Sequence, residues 1–202
     1  MADDITTDEN PEHNYREAFN TYGESPKALR WSNYRSAALH LKHLTIDLEI
    51  GNKSILDVGC GMGDVLPFLY AKTDNFEYLG VDINSDFINI ARKRYEGHEF
   101  QILDPFKEKV GRTFDFVLSS GTLNSNIPGW QEDRKQKIAK LFELADEALI
   151  FNMAGSFGQI PRGRTIAYAD AQNILDFCLT LSPKVILKTH YHPKDFTIVI
   201  FK

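Results

Sequence analysis

The 202-residue chain is poor in cysteine, in long apolar runs and in surplus positive charge. Two cysteines, Cys60 and Cys178, make neither a disulfide framework nor a thiolate zinc site, so each reads as a small buried residue. A reducing, cytoplasmic setting is therefore expected. No apolar run approaches the roughly 20 residues that span a bilayer, and no membrane association is expected. Residues 1–14 carry Asp3, Asp4, Asp8, Glu9 and Glu12 and no lysine or arginine. That is the opposite of the basic start of a signal or transit peptide. Formal net charge is −5, and setting those five acids aside leaves as many acids as the 23 lysines and arginines. The acidity thus sits in a tail of disorder-prone composition, 1–14, ahead of a neutral body. Nucleic-acid binding normally shows a basic excess, so a nucleic-acid partner is not expected.

What the chain does have is a glycine-rich turn between apolar segments. Ser54 to Val58 reads as a short strand running into Gly59-Cys60-Gly61-Met62-Gly63-Asp64. Alternate glycines let the backbone turn sharply and remove side chains that would hold a ligand away. About twenty residues on, Tyr78-Leu79-Gly80-Val81 is a second strand that ends in the carboxylate of Asp82. In a doubly wound sheet that carboxylate lies beside the turn, within reach of a ribose diol. The dinucleotide fingerprint needs its third glycine where Asp64 stands, and Asp57 adds another carboxylate before the turn. Such charge repels a pyrophosphate and suits a ligand bearing an ammonium or sulfonium.

The pattern Asp57-x-Gly59-x-Gly61-x-Gly63, with Asp82 ending the next strand, closely resembles motif I and the acidic second strand of the class I S-adenosylmethionine (SAM) dependent methyltransferases. The resemblance spans about residues 30–202. It implies that Gly59, Gly61 and Gly63 line the methionine part of SAM, with Asp57 near its amino group and Asp82 on the ribose hydroxyls. It also implies that Asp104 meets the adenine amino group, with Ile83, Pro105 and Phe106 bordering the ring. Ser119 and Ser120, just after the fourth strand, complete the cofactor site by the same resemblance. An arginine ahead of the first strand grips the methionine carboxylate in some members; Arg30 and Arg35 both qualify.

The rest of the chain alternates strands and helices, which predicts a three-layer α/β sandwich with a mostly parallel sheet. Helical spacing through Tyr34, Ala38, Leu41 and Leu44 predicts a helix over 32–46. Strands are expected at 54–58, 77–81, 100–103, 114–118, 148–152, 185–190 and 196–201. Asp64 is read as the cap of the helix after the turn, with Pro67 in its first turn. The last two strands, joined by His192-Pro193-Lys194-Asp195, must be antiparallel. A seven-stranded Rossmann-like methyltransferase sheet with a terminal hairpin follows, divided into the tail, a helical lid over 15–50 and a SAM-binding domain over 51–202.

Methyl transfer needs a general base only if the acceptor must lose a proton. His190 and His192 are the catalytic candidates, sharing a face if their strand extends that far. Their spacing also permits metal binding, but no third ligand presents itself, and no metal is expected. Asn124, Asn126, Trp130 and Asn152 are candidate acceptor-binding groups. Ser119-Ser120-Gly121-Thr122 replaces the Asn/Asp-Pro-Pro-aromatic signature of nucleic-acid amino methylases. The expected reaction is methylation of a small molecule. The alternatives are an RNA or protein methyltransferase using Arg92-Lys93-Arg94 or Arg134-Lys135-Lys137, and a SAM-binding regulator without chemistry. Nothing in the sequence sets the oligomeric state.

Overall fold

A computed structural model describes residues 11–158 and 166–202. The strands are β1 (Lys53–Val58), β2 (Phe76–Asp82), β3 (Glu99–Ile102), β4 (Phe114–Ser120), β5 (Ala145–Ser156), β6 (Ala169–Asp170), β7 (Val185–His192) and β8 (Asp195–Phe201). They pair in the order β3-β2-β1-β4-β5-β8-β7, and the two-residue β6 adds to the end of β5. All pairs are parallel except β5 with β8 and β7 with β8, the terminal hairpin the short turn requires. The order reverses direction at β1, between β2 and β4, so a crevice opens beyond the carboxyl ends of these strands.

Period-two alternation divides the core between the two faces of the sheet. Leu56 and Val58 of β1, Val117 of β4 and Leu149 and Phe151 of β5 join one apolar cluster. Ile55, Phe116, Leu118, Ala148 and Ile150 join the other. Each valine, leucine, isoleucine or phenylalanine among them, once fully buried, contributes about 1.5–3 kcal/mol, so the strands carrying the glycine turn are anchored on both faces.

The helices are α1 (Pro11–Tyr22), α2 (Tyr34–Thr45), α3 (Leu66–Tyr70), α4 (Ser85–Arg94), α5 (Trp130–Glu143) and α6 (Ala171–Leu181), with a 3-10 turn at Pro26–Leu29. Positions 1–10 of the expected acidic tail lie outside the described residues, and positions 11–14 open α1. Asn33 caps α2, its side chain accepting from Ser36 N–H at 2.9 Å. On α2 Leu41 and Leu44 are buried as expected, together with Ala37, His40 and Thr45, whereas Ala38 is exposed and Tyr34 is 72% exposed. Asp64 is not a helix cap. Val65 takes that place without a side-chain bond, and Asp64 instead pairs with Arg94 at 3.3 Å. Lys188 of β7 donates to His43 O at 2.7 Å and pairs with Asp47, fastening the end of α2 to the hairpin. Among the described residues no helix is long and apolar enough to cross a membrane.

Candidate active site

The glycine turn is a run of left-handed residues: Gly59, Gly61 and Gly63 have φ of 72°, 54° and 79°. Gly59 N–H and Cys60 N–H both donate to Val81 O, at 2.8 and 3.1 Å, so the turn is sewn to the end of β2. Asp82 tightens it further. One carboxylate oxygen accepts from Gly61 N–H at 2.9 Å and the other from Asn84 N–H at 2.8 Å. The missing side chains serve packing as much as ligand access. A Cβ at Gly59 would overlap Thr122 Oγ1, and one at Gly61 would lie 2.9 Å from Leu29. At Gly63 it would lie 2.9 Å from the Tyr95 ring.

A cavity of about 730 Å³ lies against this turn, lined by Asp57, Gly59, Gly61, Asp64, Asp82 and Ile83, and farther out by Leu103, Asp104, Pro105 and Phe106. Thr122, Ser120 and the Tyr15, Leu29 and Trp31 side chains close its other walls. Gly63 does not line it, because its position is given to Tyr95 and Phe100. Ser119 does not line it either: strand alternation turns its hydroxyl inward, where it is fully buried without a partner. Asp104 borders the cavity while closing its own turn, accepting from Phe106 N–H at 2.9 Å and pairing with Lys107 at 3.1 Å.

Three carboxylates surround the turn. Asp57 is buried and accepts from the Tyr78 hydroxyl at 2.8 Å. Burial pushes its pKa to about 7; the Tyr78 bond opposes this, and the nearby Asp82 and Asp64 charges add to it. Burial also raises Asp82, against the backbone donors of Asn84, Gly61 and Ile83, and raises Asp64 against the Arg94 charge. This charge fits a cationic ligand and not a dinucleotide pyrophosphate. The 40%-exposed Ile83, with Leu103 and Phe106, offers the apolar platform a purine needs. The residues present therefore fit S-adenosylmethionine.

A second cavity, of about 250 Å³, shares Tyr15, Leu29, Trp31 and Ser125 with the first. Its other walls include Arg30, Ser36, His40, Asn124, Ile166, Tyr168, His192, Lys194 and Asp195. The two arginine candidates separate here. Arg30 lines this cavity with its guanidinium over the Tyr15 ring, at 5.0 Å. Arg35 is exposed on α2 and lines neither cavity.

The two histidines also separate. Pairing between β7 and β8 shifts register between Lys188 and His192, which breaks the alternation expected to put His190 and His192 on one face. His190 is exposed and packs on His43, with ring centroids 5.1 Å apart, whereas His192 lines the smaller cavity. His192 also has company that the sequence did not disclose. Asp195 contacts it, and His40 Nε2 lies 3.2 Å from the same carboxylate oxygen. His40, His192 and Asp195 bring one ligand atom each within 4.8 Å of one another, a grouping that leaves out His190. Burial opposes charge on His40, but the Asp195 carboxylate and the Ser36 carbonyl outweigh it and hold its pKa above the usual value.

Of the expected acceptor groups only Asn124 lines a cavity, and its side chain also accepts from Ala154 N–H at 2.9 Å. Trp130 lies under the Arg134 guanidinium, at 4.5 Å, and lines neither cavity. Asn152 is buried behind the site. It accepts from Ser120 Oγ and Gly121 N–H, both at 3.1 Å, and so positions the loop after β4. Asn126 is buried. Arg134 is buried too, donating to Leu123 O at 2.8 Å and Ala167 O at 2.6 Å; burial lowers its pKa to about 10. It ties together two segments that wall the smaller cavity.

A profile described as a methyltransferase domain matches residues 56–147. Over 158 residues the chain is 26% identical to a Mycobacterium tuberculosis protein with a provisional methyltransferase name, covering 74% of this chain and 93% of that one. Over 89 residues it is 36% identical to a fatty-acid O-methyltransferase of Mycolicibacterium smegmatis, 41% of this chain and 31% of that enzyme. The crystal structure of magnesium protoporphyrin IX methyltransferase from Synechocystis PCC 6803 with bound SAH shares the fold. Its TM-score is 0.64 at 16% identity, with 93% of each chain covered. Residues 56–147 thus match a methyltransferase domain, and the chain has the class I, Rossmann-like methyltransferase fold, with a carboxylate-ringed glycine turn that fits S-adenosylmethionine.

Proposed function

We propose that the chain methylates a small, partly apolar acceptor held in the smaller cavity, with S-adenosylmethionine in the larger one. The observation that carries this reading is the junction of the two cavities at Tyr15, Leu29, Trp31 and Ser125. S-adenosylmethionine supplies a methyl carbon already activated by its sulfonium. The chain's part is to orient both partners and keep water away, since proximity in a dry pocket provides much of the rate. Asp82 takes the ribose hydroxyls, Asp57 the ammonium, and Gly59 and Gly61 admit the methionine part. Ile83, Asp104, Pro105 and Phe106 border the adenine. Arg30, over the shared Tyr15 ring, is the group for the methionine carboxylate, and Arg35 is set aside. The segment 15–50 acts as the lid, because its Tyr15, Leu29 and Trp31 wall both cavities.

A cavity of about 250 Å³ is at the small end of ligand sites, which favours a compact acceptor over a polymer. The arginines of the basic clusters that would favour RNA have internal partners. Arg92 donates to Phe100 O at 2.6 Å, Arg94 pairs with Glu24 at 2.7 Å, and Arg134 is buried. The relative named for fatty acids is consistent with a small acceptor but names none for this chain. The test is methyl-labelled SAM offered with small acids, phenols and amines, and in parallel with purified RNA and protein. Incorporation into a small molecule is expected. Efficient labelling of RNA that is lost at high salt would overturn the reading, and tight SAM binding without turnover on any panel would favour a regulator.

Asp57 makes cofactor binding pH-dependent. Its folded pKa, about 7, lies above the roughly 4 of an unfolded aspartate. The folded protein therefore holds this proton more tightly. Its stabilising contribution is complete below about pH 4 and is lost as pH rises through 7. A ligand ammonium favours the charged form, so affinity moves the other way. S-adenosylhomocysteine should bind up to about tenfold more tightly at pH 8 than at pH 6, a gain that Asp57→Asn removes. Calorimetry at both pH values checks this, and equal affinities in the unaltered protein would take Asp57 away from the ammonium.

A further inference from the structure

His40, His192 and Asp195 come from three separate elements, α2, β7 and β8, and meet at one wall of the smaller cavity. Their hydrogen bonds fix where their lone pairs lie. His40 Nδ1 is 2.7 Å from Ser36 O, and a carbonyl only accepts, so Nδ1 carries the proton. Nε2 is buried and lies 3.2 Å from Asp195 Oδ2, to which it donates when the ring is protonated; in the neutral ring it is an acceptor. His192 Nδ1 accepts from Lys194 N–H at 3.3 Å, yet it too is in contact with Asp195 Oδ2. An imidazole nitrogen from each ring and a carboxylate oxygen thus face one another, a grouping that a proton or a metal ion can share.

We propose that these three side chains bind a divalent transition-metal ion, zinc or a neighbour in the first row, with its remaining positions open to the smaller cavity. Two imidazoles and one carboxylate suit zinc, cobalt, nickel or iron(II), not the all-oxygen shells of magnesium and calcium. Ligand atoms about 2.1 Å from one ion lie at most about 4.2 Å apart, so atoms already within 4.8 Å need move only slightly. The Ser36 carbonyl is the outer partner that ligating histidines normally have, fixing ring orientation and tautomer. Three protein ligands beside a cavity are the arrangement of a reactive site; structural sites close with four. The ion would hold an acidic oxygen or nitrogen of the acceptor, which narrows the acceptor to molecules carrying a metal-binding donor. That last step rests on the smaller cavity being the acceptor site, whereas the metal site itself does not.

The test measures metal alone, without SAM or any acceptor. Protein dialysed against chelator is titrated with Co²⁺, read by visible absorption, and then with Zn²⁺ in competition. One saturating equivalent is expected, with affinity falling more than tenfold in His192→Gln and in Asp195→Asn. His190→Gln, which removes the exposed neighbour of His43, should bind as the unaltered protein does. Thermal melts of each variant identify any that fail to fold, and His192, at the cavity edge, keeps the test open if Asp195→Asn does. Absence of saturable binding would overturn the proposal and leave the three groups sharing a proton. So would binding that His190→Gln abolishes or that His192→Gln leaves unchanged. Because no donor or acceptor is present, a failure here is separate from a failure of the small-molecule assignment.

Discussion

Asp82→Ala is expected to weaken S-adenosylhomocysteine binding by about 1.5–3 kcal/mol, roughly ten- to hundredfold, the scale of a hydrogen bond to a charged group. Two losses act together. The ribose loses its charged acceptor, and the turn loses the two bonds that Asp82 makes to Gly61 and Asn84. Asp82→Asn separates them. It keeps one oxygen for a backbone N–H but brings an NH₂ that cannot accept, so it should retain more fold stability than alanine while still binding poorly. Melts without ligand report the turn, and calorimetry reports the ribose contact. An affinity unchanged in Asp82→Ala would remove the residue from the site.

Gly59→Ala is expected to be strongly damaging. At φ 72° a side chain costs about 1–2 kcal/mol in backbone strain alone. The added Cβ also runs into Thr122 Oγ1, which cannot simply swing away because it donates to Val58 O at 3.1 Å. Moving Thr122 breaks that bond and shifts the loop after β4, one wall of the larger cavity. The double variant Gly59→Ala/Thr122→Ala should recover the clash but not the strain, so its stability should fall between those of Gly59→Ala and Thr122→Ala. Denaturation of all four proteins in the cycle checks this. Full additivity would mean that the two residues do not meet.

These effects concern the part of the site that was legible in the chain. The turn, Asp82 and the strand order depend on local pattern: glycines at alternate positions, apolar runs that end in an acid, and a hairpin forced by a short connection. The rest depends on contacts between distant segments. His40 carries no signal of its own in the sequence, and the fastening of α2 to the hairpin through Lys188 brings it to Asp195. A shared face for His190 and His192 requires unbroken alternation, and the register shift in β7 has no signature in composition. Asn152 and Ser119 lie within their strands and are buried, and Trp130 is engaged by Arg134. A glycine kept for packing, such as Gly63 against Tyr95, cannot be told from one kept for a ligand by spacing alone. Asp64 looked like a cap until Arg94, thirty residues on, claimed it.

The central claim is that the carboxylate-ringed turn selects S-adenosylmethionine over dinucleotides. Paired calorimetric titrations of the full chain with S-adenosylhomocysteine and with NAD test it most directly. Binding of one S-adenosylhomocysteine at micromolar affinity, with no detectable heat from NAD, is the predicted result. NAD binding as tightly as S-adenosylhomocysteine would contradict it.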